Sequence, residues 1–235
     1  MQAKICYDNT ALPGFHAGWG FSCLVDQILF DTGEKAAPLF SNMEKLNIDR
    51  SKIESVVISH THWDHTGGLW ELLDEHPGLN VYGCPGFSDE FKNRVEQHKG
   101  IFKASEPGQT IAKNIQITGE IASIYKGVSM PEQALIIPGD TGISVITGCS
   151  HPGILNILRR ALAVTRASRI SLVFGGFHMM NDSEKEIDHV IDQFQALPVE
   201  RVGATHCTGN QAIAMFQKRY GDQFIKLGSG RALEI

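Results

Sequence analysis

The sequence predicts a mixed α/β fold of two β-sheets with helices on their outer sides, and three observations carry that reading. Residues 3–7, 21–25 and 28–31 alternate in a strand-like way with turn chemistry between them, so a β-meander opens the chain. Later in the chain helical and strand-like segments interleave. Histidines then recur where apolar strands end, a placement that presents side chains to a common cleft at one edge of a sheet layer.

The elements follow in order. Residues 35–47 carry helical spacing through Leu39, Met43 and Leu46, and residues 55–59 form a short buried strand. Residues 67–76 read as a helix closed by Pro77-Gly78. A strand at Val81-Tyr82, a charged helix over 88–98 and strands near 115–118 come next. Segments 134–137 and 143–147 flank Pro138-Gly139-Asp140-Thr141-Gly142, which has the residues of a hairpin turn. Helices are then expected at 154–164, 184–197 and 211–220, and strands at 170–174, 199–204, 224–227 and 232–234.

Composition bounds the function. The chain of 235 residues has no compositional break, which predicts a single domain over 1–235. Hydrophobic residues at 42% and charged residues at 20% are those of a soluble globular protein, and no apolar run reaches the length of a membrane span. The first seven residues enter strand-like sequence without signal-peptide features, so the cytoplasm is the expected compartment. Cys6, Cys23, Cys84, Cys149 and Cys207 are odd in number and lack a CxxC pair, which predicts reduced thiols. A net charge of -5 without a Lys/Arg cluster argues against a nucleic-acid partner, so a small-molecule substrate is expected, with the oligomeric state left open.

The chemistry is concentrated in Ser59-His60-Thr61-His62-Trp63-Asp64-His65-Thr66-Gly67-Gly68, which follows the apolar run Val56-Val57-Ile58. Four ligand-type side chains in six positions, imidazole with carboxylate, suit zinc, iron or manganese. Three further histidines end strands beside small residues, in Thr147-Gly148-Cys149-Ser150-His151, Phe174-Gly175-Gly176-Phe177-His178 and Ala204-Thr205-His206-Cys207-Thr208-Gly209. Together they predict a metal site built from His60, His62, Asp64, His65, His151, His178 and His206.

A His-x-His-x-Asp-His loop with later histidines on successive strand ends resembles the metallo-β-lactamase fold superfamily, and Asp31-Thr32-Gly33 matches its Asp-Thr-Gly turn. The resemblance spans nearly the whole chain. It implies a four-layer αββα sandwich with one or two divalent metals, zinc foremost and manganese or iron as alternatives. By position, His60, His62 and His151 would hold the first metal, and Asp64, His65 and His206 the second. The phrases at 148–154, 175–178 and 206–209 are similar to the subgroup named after 7,8-dihydropterin-6-methyl-4-(β-D-ribofuranosyl)aminobenzene-5′-phosphate synthase. Most of that subgroup are called metal-dependent hydrolases. One departure stands out: the superfamily usually places a metal-bridging Asp where this chain has His178, so His178 is a ligand of one metal or a donor behind the ligands, or a single metal is the working state.

Other residues carry paired readings. Asp31 is expected to accept a ring N–H from a ligating histidine, or to be a plain turn residue. Cys149 and Cys207 are small buried fillers or thiolate ligands. His16 and Trp19, in the Gly-rich loop 11–20, either meet a flat substrate or pack for stability. Thr208 either offers a donor to a substrate anion or caps the following helix. The expected reaction is hydrolysis of an ester, phosphoester or amide by metal-activated hydroxide, with Asp64 orienting it or moving its proton and the second metal or His206 steadying the developing oxyanion. The alternatives are a synthase-type transfer, in which the metals neutralise a pyrophosphate leaving group, and a non-catalytic metal or ligand-binding module.

Overall fold

The computed structural model describes all 235 residues, and the chain divides into two compact units. The first comprises Met1–Ser105 and Leu227–Glu234, the second Glu106–Lys226 and Ile235.

The first unit runs β1 (Gln2–Tyr7), β2 (Ser22–Val25), β3 (Ile28–Phe30), α1 (Ala36–Lys45), β4 (Ser55–Val57), α2 (Trp63–Thr66), α3 (Leu69–Glu75), β5 (Asn80–Gly83), α4 (Asp89–Gln97) and β6 (Ile101–Ala104). The C-terminal strand, Ala232–Glu234, joins the edge beside β1, and β1 to β6 follow in chain order. Pairing is antiparallel from that edge to β3 and parallel from β3 to β6. β4 is buried throughout, as expected of a strand with parallel neighbours on both sides. α1 buries Ala36, Leu39 and Met43, and α3 buries Leu69, Leu72 and Leu73, so three- and four-residue spacing turns one stripe of each helix into the apolar core.

The second unit runs β7 (Thr110–Ala112), β8 (Ile115–Ile117), β9 (Ile124–Tyr125), β10 (Val128–Ser129), β11 (Leu135–Gly139), β12 (Gly142–Thr147), α5 (Ile154–Thr165), β13 (Ile170–Gly176), α6 (Glu184–Ala196), β14 (Val199–Thr205) and α7 (Asn210–Tyr220). Its six-stranded sheet has the order β14-β13-β12-β11-β8-β7, parallel across β12, β13 and β14 and antiparallel beyond. β9 and β10 form a separate hairpin. α5 buries Ile154, Ile157, Leu158 and Ala161. α6 starts at a capping box in which Ser183 and Glu186 satisfy each other's backbone donors. Phe177, Phe194 and Phe216 meet with ring centroids 5.2–5.7 Å apart and bind these helices into one core. No helix of the chain is long and apolar enough to cross a membrane.

Three features depart from the sequence reading. The strand expected at 224–227 is a single bridge, Val202 to Phe224, with Ile225 N–H donating to the Val202 carbonyl, because the chain leaves the second unit after Lys226. The helix expected at 67–76 is two helices, α2 beginning earlier at Trp63 and α3 beginning at Leu69. Between them Gly67 runs so close to Glu34 that a Cβ would lie 1.8 Å from its carbonyl oxygen. Short strands β6, β7, β9 and β10 were not anticipated; they are two to four residues long, too brief for alternation to register.

Candidate metal centre

Every predicted ligand lies just beyond the carboxyl end of a strand that has a parallel neighbour, where α/β sheets present their binding groups. In the first unit Asp31 follows β3, and the histidine loop follows β4. In the second, Cys149 and His151 follow β12, His178 follows β13 and His206 follows β14. Of the ten non-glycine residues with positive φ, four are here: Asp31, Ser150, His178 and His206. A left-handed backbone costs an L-residue about 1–3 kcal/mol, and such strain concentrates at functional sites.

In the first unit one buried carboxylate orders the donors. Asp31 Oδ1 accepts from the Ser59 N–H at 2.7 Å, and its Oδ2 accepts from the Ser59 hydroxyl at 2.7 Å and from His65 Nδ1 at 2.7 Å. Because Ser59 gives its proton to Asp31, its oxygen is left to accept from His60 Nδ1 at 2.9 Å. Asp31 thus fixes the ring of His65 directly and that of His60 through Ser59, leaving the Nε2 lone pair of each for a cation. His60 Nε2 stands 3.1 Å from His62 Nδ1, and His65 Nε2 stands 3.7 Å from Asp64 Oδ2. The turn Asp31-Thr32-Gly33 also holds the loop's backbone: the N–H and hydroxyl of Thr32 both donate to the His65 carbonyl, at 2.8 and 2.9 Å. Gly33, with φ at 64°, takes the one conformation that lets the turn cross the Tyr7 ring, where a Cβ would lie 2.4 Å from a ring carbon.

In the second unit the ordering carboxylate is Glu132, fully buried. Its Oε1 accepts from the N–H groups of Cys149 at 2.9 Å and Ser150 at 2.7 Å, and its Oε2 from that of His151 at 2.7 Å. The donor atoms of Cys149, His151 and His178 lie within 4.8 Å of one another. Cys149 Sγ is also 3.4 Å from His206 Nε2. His178 is held with a raised imidazole pKa, chiefly by its hydrogen bond with Cys207 and against the effect of burial. Its Nδ1 is buried without a hydrogen-bond partner, an orphan that a metal would satisfy. The ring of Tyr125, in the β9–β10 hairpin, lies 4.7 Å from that of His151 and 5.3 Å from that of His178.

The residues expected at the substrate fall in three settings. His16 is exposed, and its backbone is clamped at both polar atoms by buried Asn42. Trp19 is 39% exposed, open enough to meet a ligand. Thr208 is fully buried, and its hydroxyl oxygen accepts from the Phe177 N–H at 3.0 Å. Sequence reasoning did not identify Ser59 as the link to His60, Glu132 as the anchor of its loop, or Tyr125 beside the histidines. A Lys126-Gly127 turn between Ile124-Tyr125 and Val128-Ser129 is the signal that could have marked the Tyr125 hairpin.

The donor set, with Nδ1 of His60 and His65 tied down by hydrogen bonds and the Asp64 carboxylate beside them, fits a divalent metal. Comparison with known proteins agrees. Residues 26–206 match the family model of the metallo-beta-lactamase superfamily. The chain is 27% identical to the 7,8-dihydropterin-6-methyl-4-(beta-D-ribofuranosyl)-aminobenzene-5′-phosphate synthase of Methanocaldococcus jannaschii, over 89% of this chain and 84% of that one. It is 30% identical to an uncharacterized protein of the same organism, over 89% of this chain and 91% of that one. The crystal structure of a metal-dependent hydrolase of the beta-lactamase superfamily superposes with a TM-score of 0.84 at 30% identity, covering 100% of this chain and 99% of the other. With the histidine loop, the later strand-end histidines and these matches in agreement, the chain belongs to the metallo-β-lactamase superfamily and has its fold.

Proposed function

We propose that the protein is a metal-dependent hydrolase acting on an ester, phosphoester or amide bond of a small molecule. The observation that carries this reading is the Asp31 network, which commits Nδ1 of both His60 and His65 and so reserves their Nε2 atoms for a cation. A bound divalent metal, zinc foremost with manganese or iron as alternatives, would supply an acidified water and polarise the group under attack. His60, His62, Asp64 and His65 in the first unit, and His151, His178 and His206 in the second, are the residues proposed as metal ligands. Asp64, a carboxylate only 5% exposed, would take the proton of the attacking water. His206 would donate toward the oxygen on which charge develops. His16 and Trp19, in the loop before β2, are the side chains proposed to meet the substrate, while the buried hydroxyl of Thr208 would act by holding the Phe177 backbone.

Turnover of ester and phosphoester substrates by zinc-loaded protein, compared with Asp64→Ala, tests the reading. The expected result is loss of turnover in a variant that still unfolds cooperatively; undiminished turnover would overturn the role of Asp64.

A second reading is favoured by the 27% identity to the synthase: transfer to an aromatic carbon with departure of a pyrophosphate. Isotope-labelled water separates the two. Label in the product supports hydrolysis, and an unlabelled condensed product supports transfer.

A further inference from the structure

We infer that Cys149 is a metal ligand, its thiolate completing a soft donor set with His151 and His178 in the second unit. The inference rests on the metal-centre reading above and goes beyond its histidine and aspartate ligands.

Three observations converge on this sulfur. Its Sγ lies within 4.8 Å of a ring nitrogen of both His151 and His178, and 3.4 Å from His206 Nε2, so three imidazoles surround it. Ligand atoms on a tetrahedral zinc stand about 3.4–3.6 Å apart, given Zn–N of about 2.0–2.1 Å and Zn–S of about 2.3 Å. The cluster therefore needs to contract by no more than about 1.4 Å to close on an ion. Second, Nδ1 of His178 is buried with no hydrogen-bond partner, a cost that ligation would remove. Third, the backbone is built to aim these groups: Ser150 and His178 hold positive φ at 71° and 54°, while Glu132 takes the N–H groups of residues 149, 150 and 151. A small buried residue chosen only to fill space would need none of this.

The two cysteines of the cluster are not equivalent. Cys207 Sγ donates to the Cys149 carbonyl at 3.5 Å and packs against Gly176, where a Cβ would lie 2.6 Å from the sulfur. Cys207 also hydrogen-bonds with His178 and faces His206, so both sulfurs meet imidazoles, but it is the Cys149 sulfur that groups with ring nitrogens of His151 and His178 at a spacing that could hold an ion. A thiolate there would also supply the anionic donor that His178 does not. As the metal–sulfur bond forms, the thiol proton passes to solvent, so uptake of the ion releases that proton.

The test is X-ray absorption on zinc-loaded protein, run on wild type, Cys149→Ser and Cys207→Ser. The expected result is a zinc–sulfur shell at about 2.3 Å in wild type and Cys207→Ser that is lost in Cys149→Ser. Cobalt titration gives a parallel readout through an ultraviolet sulfur-to-cobalt charge-transfer band with the same pattern across the three proteins. Wild type carries the decisive spectrum, so the test stands even if a variant fails to fold. Zinc bound by nitrogen and oxygen alone in wild type would overturn the thiolate while leaving the metal centre intact. Loss of the sulfur shell in Cys207→Ser with retention in Cys149→Ser would overturn it in favour of the other cysteine, and failure of wild type to bind zinc or cobalt would overturn both readings.

Discussion

The two loops that carry the candidate ligands are each tied to a buried carboxylate, but the carboxylates grip different parts. In the first unit Asp31 holds side chains, His65 directly and His60 through Ser59. In the second Glu132 holds main chain, the three consecutive N–H groups of residues 149–151. Asp31 therefore sets which ring nitrogen carries a proton, and Glu132 sets where the loop runs. Removing the first should be felt mainly as metal affinity, and removing the second mainly as stability.

The largest expected effect breaks the second arrangement. Glu132→Ala leaves three N–H groups, two of them buried, without their acceptor and should cost about 3–5 kcal/mol in urea denaturation. A variant with wild-type stability would show that the loop holds itself.

Asp31→Asn breaks the first arrangement. An amide cannot accept from Ser59 and His65 as a carboxylate does, so zinc affinity should fall about 10- to 100-fold in competition with a chelator. Equal affinity in Asp31→Asn and wild type would remove the distinction between the two carboxylates.

Ser59→Ala sharpens it, because His65 keeps its carboxylate and only His60 loses its partner. A fall in zinc affinity of about 10-fold is expected, smaller than for Asp31→Asn. The two variants combined should fall short of additivity, since they act through one network.

Ser183→Ala is the control. It removes the α6 cap, 32 residues from His151 and 23 from His206 in sequence yet without a hydrogen bond to either, and should cost about 1 kcal/mol with zinc affinity unchanged.

The same contrast explains what could be read from sequence. The pattern of His60, His62, Asp64 and His65 was legible because ligand-type residues crowd into six positions. Asp31 was legible through its turn, and its role as acceptor of a histidine N–H is observed in its bond to His65. Glu132 was not, because a carboxylate that accepts main-chain N–H groups imposes no residue type on its partners. The long helices α5, α6 and α7 were legible where helical and strand-like segments interleave. Strands of two or three residues such as β9 and β10 were not, and 224–227 has strand-like composition but pairs at one bridge only. Nothing in composition marked the passage between the two units at Ser105 and Lys226.

The central claim is that histidines ordered by Asp31 hold a divalent metal. Metal content per chain, measured on protein purified without added metal and compared with a His60→Ala, His65→Ala double variant, tests it most directly. The account predicts one or two equivalents in wild type and a clear loss in the variant. Equal metal in both proteins, or wild type that stays metal-free and takes up no zinc on titration, would contradict it.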